Sequence, residues 1–400
     1  MRRRDLLKAA GLTLPLIVAG RALAAPSAGG SRLLLVFLRG AYDAANIIAP
    51  VGSDFYHAAR PTLGLARPDP ANPDAALPLD ADWGLHPALK DSIYPLWQAR
   101  QIAFVPFAGT DDMSRSHFET QDTIELGQPL AGTRNFRSGF MARLADALGP
   151  DRPIAFSDQV PLCFQGAAAQ AVPNIAIAGN LKPGIGHRQA GLIQSMYEGD
   201  AALSRSVAEG FATREAVFAS LADEMTQASR GAVTPKGFEL AARRIGRLMR
   251  DQYNLAFVDV GGWDTHVNQG GAQGYLAGRI GELGRGLAGF VDEIGPDAWR
   301  DTTVVVVSEF GRTFRENGDK GTDHGHGSVY WVMGGGVRGG RLTGPQVNIA
   351  PETLNQQRDL PVLTDYRGLI GGIIQRQYGL NARSLESVFP GNKPATLDLL

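Results

Sequence analysis

Five short apolar runs punctuate the chain: Arg32–Leu38, Ile102–Phe107, Asn254–Val260, Thr302–Val307 and Val329–Met333. None alternates with polar residues, and each is too short for a typical helix. Such runs fit strands covered on both faces, as in a parallel sheet. Between them lie stretches with helical spacing. In Lys236–Tyr253 the residues Phe238, Ala241, Ala242, Ile245, Leu248 and Met249 share one face, and in Gln273–Ile294 so do Leu276, Ile280, Leu283, Leu287 and Val291; both stripes read as core. Helices are also predicted over Leu85–Gln98, Ser116–Leu126, Ala142–Leu148 and Val207–Ala228, and after Thr364-Asp365. The succession from Asn254 through Gln273–Ile294 to Thr302 predicts a right-handed parallel βαβ unit. Val51–Trp83, rich in Pro, Asp and Ala, reads as a loop excursion, Pro153–Pro173 as a strand with loops around Cys163, Gly179–His187 as a connection, and the Pro-rich C-terminal tail as surface.

The first 24 residues have a different character. Arg2-Arg3-Arg4-Asp5-Leu6-Leu7-Lys8 is basic, Ala9–Gly20 is apolar but too short to span a bilayer, and Ala22-Leu23-Ala24 is a small-x-small cleavage site. This is the pattern of a twin-arginine export signal, not of a transmembrane anchor. It predicts a partner during export, the twin-arginine translocase, and a destination in the periplasm or cell envelope. The segment carries five Lys or Arg and one Asp, so its removal takes the net charge from −1 to −5. A generally basic nucleic-acid binder is thereby excluded. The single cysteine, Cys163, permits neither an internal disulfide nor a CxxC metal site.

In open α/β sheets chemistry gathers at the carboxyl ends of strands, and here acids and imidazoles cluster at those ends. The Thr302 strand leads into Ser308-Glu309-Phe310 and then Thr322-Asp323-His324-Gly325-His326-Gly327, which holds two of the seven histidines. In extended backbone, His324 and His326 would point the same way. Glu309, His324 and His326 are therefore candidate ligands of one divalent ion, and Asp323 could either ligate or orient a histidine. After the Asn254 strand, Asp264 and His266 repeat the carboxylate–imidazole pair. Asp43, after the first strand, reads either as a ligand or as a turn residue. The histidines favour Zn or Mn over Mg or Ca. Ser114-Arg115-Ser116-His117 precedes a helix, so Ser116 first and Ser114 second are candidate nucleophiles as well as N-caps. Arg115 and His117 would face a phosphate or the metal, and Arg39 and Arg312 are further guanidiniums able to hold an anion.

Taken in order, RGAYD, SRSHFE, GGWDTH, SEFGRT and TDHGHG resemble DUF1501, an exported bacterial family of unknown function, over nearly the whole mature chain. That family in turn resembles the alkaline phosphatase and sulfatase superfamily. The resemblance implies an α/β fold with a doubly wound, mostly parallel central sheet flanked by helices, here a single domain over 32–400 with helical and loop insertions. It also implies metal-assisted attack on a phosphate or, less readily, a sulfate ester. The superfamily's first acid would fall near Asp43, its nucleophile near Ser116, and its later metal groups on Asp264, His266, Glu309, His324 and His326. Two departures stand out: Arg39-Gly40 replaces the usual Asp-Gly, and the sulfatase signature around a modified Cys or Ser is absent. Two functions follow. One is an exported metal-dependent hydrolase acting on a small anionic ester. The other is a non-catalytic envelope protein that keeps the fold and binds a glycan or a partner.

Replacing Arg3 and Arg4 together with Lys is expected to hold the protein in the cytoplasm. Fractionation of a twin-arginine-competent host checks this, and undiminished appearance in the periplasm would refute the export reading.

Overall fold

Each apolar run becomes a strand in the computed structural model, which describes residues 30–149, 153–157, 160–167, 187–197, 202–212 and 237–400. The segment expected to direct export lies outside the described residues, as do most of Gly179–His187 and of Val207–Ala228. The main strands are β1 (Arg32–Leu38), β2 (Ile102–Gly109), β3 (Pro153–Phe156), β4 (Leu255–Val260), β5 (Thr302–Ser308) and β6 (Ser328–Met333), with short β7 (Arg341–Leu342) and β8 (Thr364–Asp365). They form one sheet in the order β7-β2-β6-β5-β1-β4-β3, with β8 beside β2. Among the described residues of this sheet only β6 runs antiparallel to its neighbours; the other pairings are parallel. The arrangement is thus a mixed, mostly parallel α/β sheet.

Burial on both faces explains the unbroken apolar runs. On one face, Leu34, Val36, Val258, Val304 and Val306 pack with Ile245, Leu248, Leu276, Ile280 and Leu287. These last five come from α3 (Phe238–Asp251) and α4 (Tyr275–Arg300). On the other face, Leu33, Leu35, Phe257, Val305 and Val307 pack with residues of α2 (Phe140–Leu148), α5 (Tyr366–Tyr378) and α6 (Ala382–Val388). Each buried Val or Leu contributes about 1.5–3 kcal/mol. Helix α4 outruns its expected end at Ile294. It breaks at Gly295, whose φ is 76°, ahead of Pro296, and the chain stays helical to Arg300. The tail expected on the surface instead places Leu399 in the second core. The Val51–Trp83 excursion holds a short helix, Asp54–Ala59. Strands Ile48–Ala49, Leu77–Pro78 and Gly84–Leu85 form a small antiparallel sheet there. The expected Leu85–Gln98 helix is broken into Pro87–Leu89, a 3-10 turn capped by the His86 ring, and Tyr94–Gln98. Among the described residues no helix is long and apolar enough to cross a membrane.

The strand directions place the site. β1, β2, β4 and β5 all end at one edge, and reversed β6 begins there, so the loop between β5 and β6 never leaves that edge. The loops there approach one another closely. Gly40 has φ 115°, and a Cβ on it would stand 2.8 Å from the Asp264 nitrogen. A Cβ on Gly311 would collide with the Gly327 carbonyl oxygen. No side chain is tolerated at either position.

Asp43, expected as a ligand or a turn residue, is the second: it precedes the 3-10 turn Ala44–Asn46, its carbonyl accepting from the Asn46 nitrogen at 3.0 Å, and its carboxylate is engaged away from the cluster. Its oxygens accept from Arg60 at 2.6 and 3.0 Å and from Gln269 at 2.6 Å, and the pair is fully buried. Arg60 also donates to the carbonyls of Phe314 and Thr313 at 2.7 and 2.9 Å, so the pair ties the loop after β1 to the one after β5. Asp43→Ala would strand a buried guanidinium, and a loss of about 3–5 kcal/mol is expected by urea denaturation. Replacing Asp43 and Arg60 together with apolar residues should recover most of it. Equal losses in the single and double variants would show that the pair is not the cause.

Candidate metal centre

Helix α1 (His117–Leu126) starts the site. Ser116 is its N-cap, with Oγ accepting from the Glu119 nitrogen at 3.4 Å. The cap sets His117 in the first turn, at the sheet's carboxyl edge. Asp264 and His266 come from the loop after β4, Glu309 from the end of β5, and His324 from the loop into β6. His117, Asp264 and His324 each bring one ligand atom to within 4.8 Å of the others. The Nε2 atoms of His117 and His324 are 2.9 Å apart, and Asp264 lies 3.6 Å from the first and 3.4 Å from the second. Two imidazoles and a carboxylate that converge in this way could hold a divalent metal ion.

Both rings are held from behind by oxygen. His117 Nδ1 is 2.8 Å from Glu309 Oε1, and His324 Nδ1 is 3.1 Å from the Arg115 carbonyl oxygen. Neither oxygen carries a proton, so each Nδ1 donates and each Nε2 turns its lone pair inward, the tautomer that metal ligation requires. Arg115 has φ 53°, a left-handed conformation rare outside glycine, which goes with this carbonyl contact. Its guanidinium is bound by Asp359 at 2.7 Å and Gln356 at 2.7 Å. Phe310, buried, packs on both rings with centroid distances of 5.0 and 5.3 Å.

Glu309, expected as a ligand, stands behind His117, one of the three groups that could hold an ion. Its Oε1 accepts from His117, from the Gly40 nitrogen at 2.8 Å and from Gln121 at 2.9 Å, and the Ser308 hydroxyl is 2.9 Å from Oε2. Burial pushes this carboxyl up, but the hydrogen bonds from His117, Gln121 and the backbone hold it below its ordinary range. The same contact raises His117, with burial opposing, while burial, His117 and Arg312 lower His324. Burial also raises Asp264, but Arg312, 2.7 Å away, and then His266 and His117 outweigh it and keep the carboxylate ionised.

The remaining expected residues divide. Asp323, expected as a ligand or as an orienting group, has Oδ1 3.2 Å from His266 Nδ1. His326 does not point with His324: the backbone bends between two glycines, and the buried ring has Arg115, Asp112 and Asp111 as its charged neighbours. Arg312 is buried on Asp264 and Thr322. Arg39 donates to Asp259, Gln121 and Glu125, each at 2.8 Å. Ser114 Oγ pairs with Thr120 Oγ1 at 3.3 Å. Gln121 and the Arg60 partner of Asp43 escaped the sequence reading. Gln121 had a signal, lying one helical turn from His117 on the same face; Arg60 had none.

A family model, described as a protein of unknown function (DUF1501), matches residues 30–389. The chain belongs to the DUF1501 family. No curated protein matches it. Membership in DUF1501 supplies no activity, so the functional reading rests on the site itself.

Glu309→Gln offers His117 Nδ1 a weaker acceptor. Divalent-metal affinity, measured by chelator competition, is expected to fall about 10–100-fold with the circular dichroism unchanged. Unaltered affinity would show that His117 needs no carboxylate behind it.

Proposed function

We propose that this DUF1501 protein is an exported, metal-dependent hydrolase of phosphate esters, akin to alkaline phosphatase, acting in the periplasm or envelope. The observation that carries the proposal is the convergence of His117, Asp264 and His324 at the carboxyl edge of a mostly parallel sheet. A Zn or Mn ion bound there would supply Lewis-acid polarisation of an ester oxygen. The chain's own groups do the rest. Glu309 and the Arg115 carbonyl keep both Nε2 atoms directed inward, and Arg312 keeps Asp264 anionic. Ser116 is the proposed nucleophile. It adjoins His117 and stands at the N-terminus of α1, where backbone N–H groups favour an anionic substrate.

One observation favours the alternative, a non-catalytic envelope protein that binds a glycan or partner. Arg39, Arg115 and Arg312, the guanidiniums expected to grip the anion, are each already engaged by carboxylates. Arg39 also occupies the place of the superfamily's acid.

An ester screen of metal-loaded and metal-stripped protein separates the two. Phosphate-ester turnover is expected only with metal, and its loss is expected in His117→Ala with His324→Ala. Ser116→Ala should lower kcat by at least about a hundredfold with metal content retained. Turnover unchanged in Ser116→Ala would make water the nucleophile. The absence of any metal-dependent turnover would favour the binding protein.

A further inference from the structure

Arg39 directly follows β1, and its guanidinium is held on three sides. Nε donates to Asp259 Oδ2, Nη2 to Glu125 Oε1 and Nη1 to Gln121 Oε1, each at 2.8 Å. The first two contacts are ion pairs. The third leads into the candidate metal centre. Gln121 Nε2 donates to Glu309 Oε1 at 2.9 Å, and the same oxygen is 2.8 Å from His117 Nδ1. From this, and resting on the metal reading above, we infer that Arg39 is a positioning residue: acting through Gln121 and Glu309, it sets the ring of His117.

The chemistry of these groups allows one order only. A guanidinium only donates and a carboxylate only accepts, so an amide between them turns Oε1 to Arg39 and Nε2 to Glu309. Each amide contact is then made to an ionised partner, which strengthens it over a bond between neutral groups. A reversed amide would set oxygen against the carboxylate and N–H against the guanidinium. The guanidinium is planar, and Asp259 and Glu125 hold its Nε and Nη2, so Nη1 has a fixed direction. The Phe37 ring lies 4.7 Å from its central carbon and restrains it further. Gln121 stands one helical turn after His117 on α1. One helix thus carries both the ring and the amide that steadies the ring's acceptor.

Arg39 and Gly40 act on Glu309 as neighbours. The Gly40 nitrogen donates to Oε1 at 2.8 Å, so the loop after β1 reaches this oxygen once by its backbone and once by way of Gln121. A role for Arg39 in the fold alone is met by the ion pairs with buried Glu125 and with Asp259. Neither ion pair needs Gln121. The two roles therefore separate at Gln121, whose replacement leaves both ion pairs in place.

The test combines zinc affinity, by chelator competition, with the nitrogen NMR spectrum of the histidine rings in metal-free protein at a pH where they are neutral. A single Nδ1–H form of His117 is expected in the wild type. Gln121→Met should give the Nε2–H form a measurable share and lower zinc affinity about tenfold, with the urea midpoint unchanged. Arg39→Lys keeps the charge but loses the planar fork, and should move both readouts the same way; Arg39→Gln replaces it if the Lys variant folds poorly. Added to Gln121→Met, the Arg39 substitution should move them no further, because both act through one amide. Unchanged readouts in either single variant, or losses that add in the double variant, would overturn the positioning role. No zinc bound by the wild type would overturn the metal reading instead, and the His117 tautomer would then decide the role of Arg39 by itself.

Discussion

The structure around the site depends on one buried carboxylate. Burying an ionised carboxylate costs several kcal/mol unless hydrogen bonds replace the lost water. Glu309 obtains those bonds from separate pieces of chain: the Gly40 nitrogen after β1, His117 and Gln121 from α1, and Ser308 at the end of its own strand. Any arrangement that moved α1 away from the ends of β1 and β5 would strand the charge. The same contacts that offset the burial fix the His117 ring, so the fold and the site are held by one set of hydrogen bonds.

Sheet topology supplies the other constraint. A parallel β6 would have required the chain to return to the opposite edge, taking the loop with His324 away from Asp264. Reversing this one strand keeps the loop local, and its glycines let it lie against neighbouring backbone. Gly311 lies against the Gly327 carbonyl, and a Cβ on Gly325 would collide with the Arg312 backbone. Gly40 likewise admits the Trp263–Asp264 backbone. The many glycines of these loops reflect close approach between segments far apart in sequence.

Much of this was legible in the sequence. The five apolar runs marked the strands because both sheet faces are covered, and the carboxylate–imidazole pairs marked the right edge. What was not legible were contacts made across the fold. Asp43 read as a ligand or a turn residue because it follows a strand, and what its carboxylate binds was hidden, since its partner Arg60 lies 17 residues away in an excursion with no periodic signal. His324 and His326 looked equivalent because the i, i+2 rule assumes extended backbone, and the glycines around His326 break that assumption. Glu309, expected as a ligand, lies behind the ring of His117, which was expected to face a phosphate or the metal. Which of two adjacent groups faces the centre depends on what lies behind each, and for Glu309 that includes a backbone N–H, which no residue pattern displays.

Charge balance brings these observations together. Asp264, Glu309 and Asp323 place three carboxylates in and behind the cluster, and Arg312 offsets one of them. Arg115 does not alter the count, because Asp359 neutralises it. With the imidazoles neutral, as ligation requires, the cluster carries a formal charge of −2, which a divalent cation cancels. Protonating two of the three imidazoles would also cancel it, but that would place cationic rings against one another at about 3 Å, where like charges repel strongly in a half-buried site. The Glu309 contact raises His117, while burial first and then His117 and Arg312 lower His324, so the two rings do not favour protonation together. A divalent ion removes that repulsion, since it cancels the charge while leaving every ring neutral, and this makes an ion a better partner for the cluster than protons.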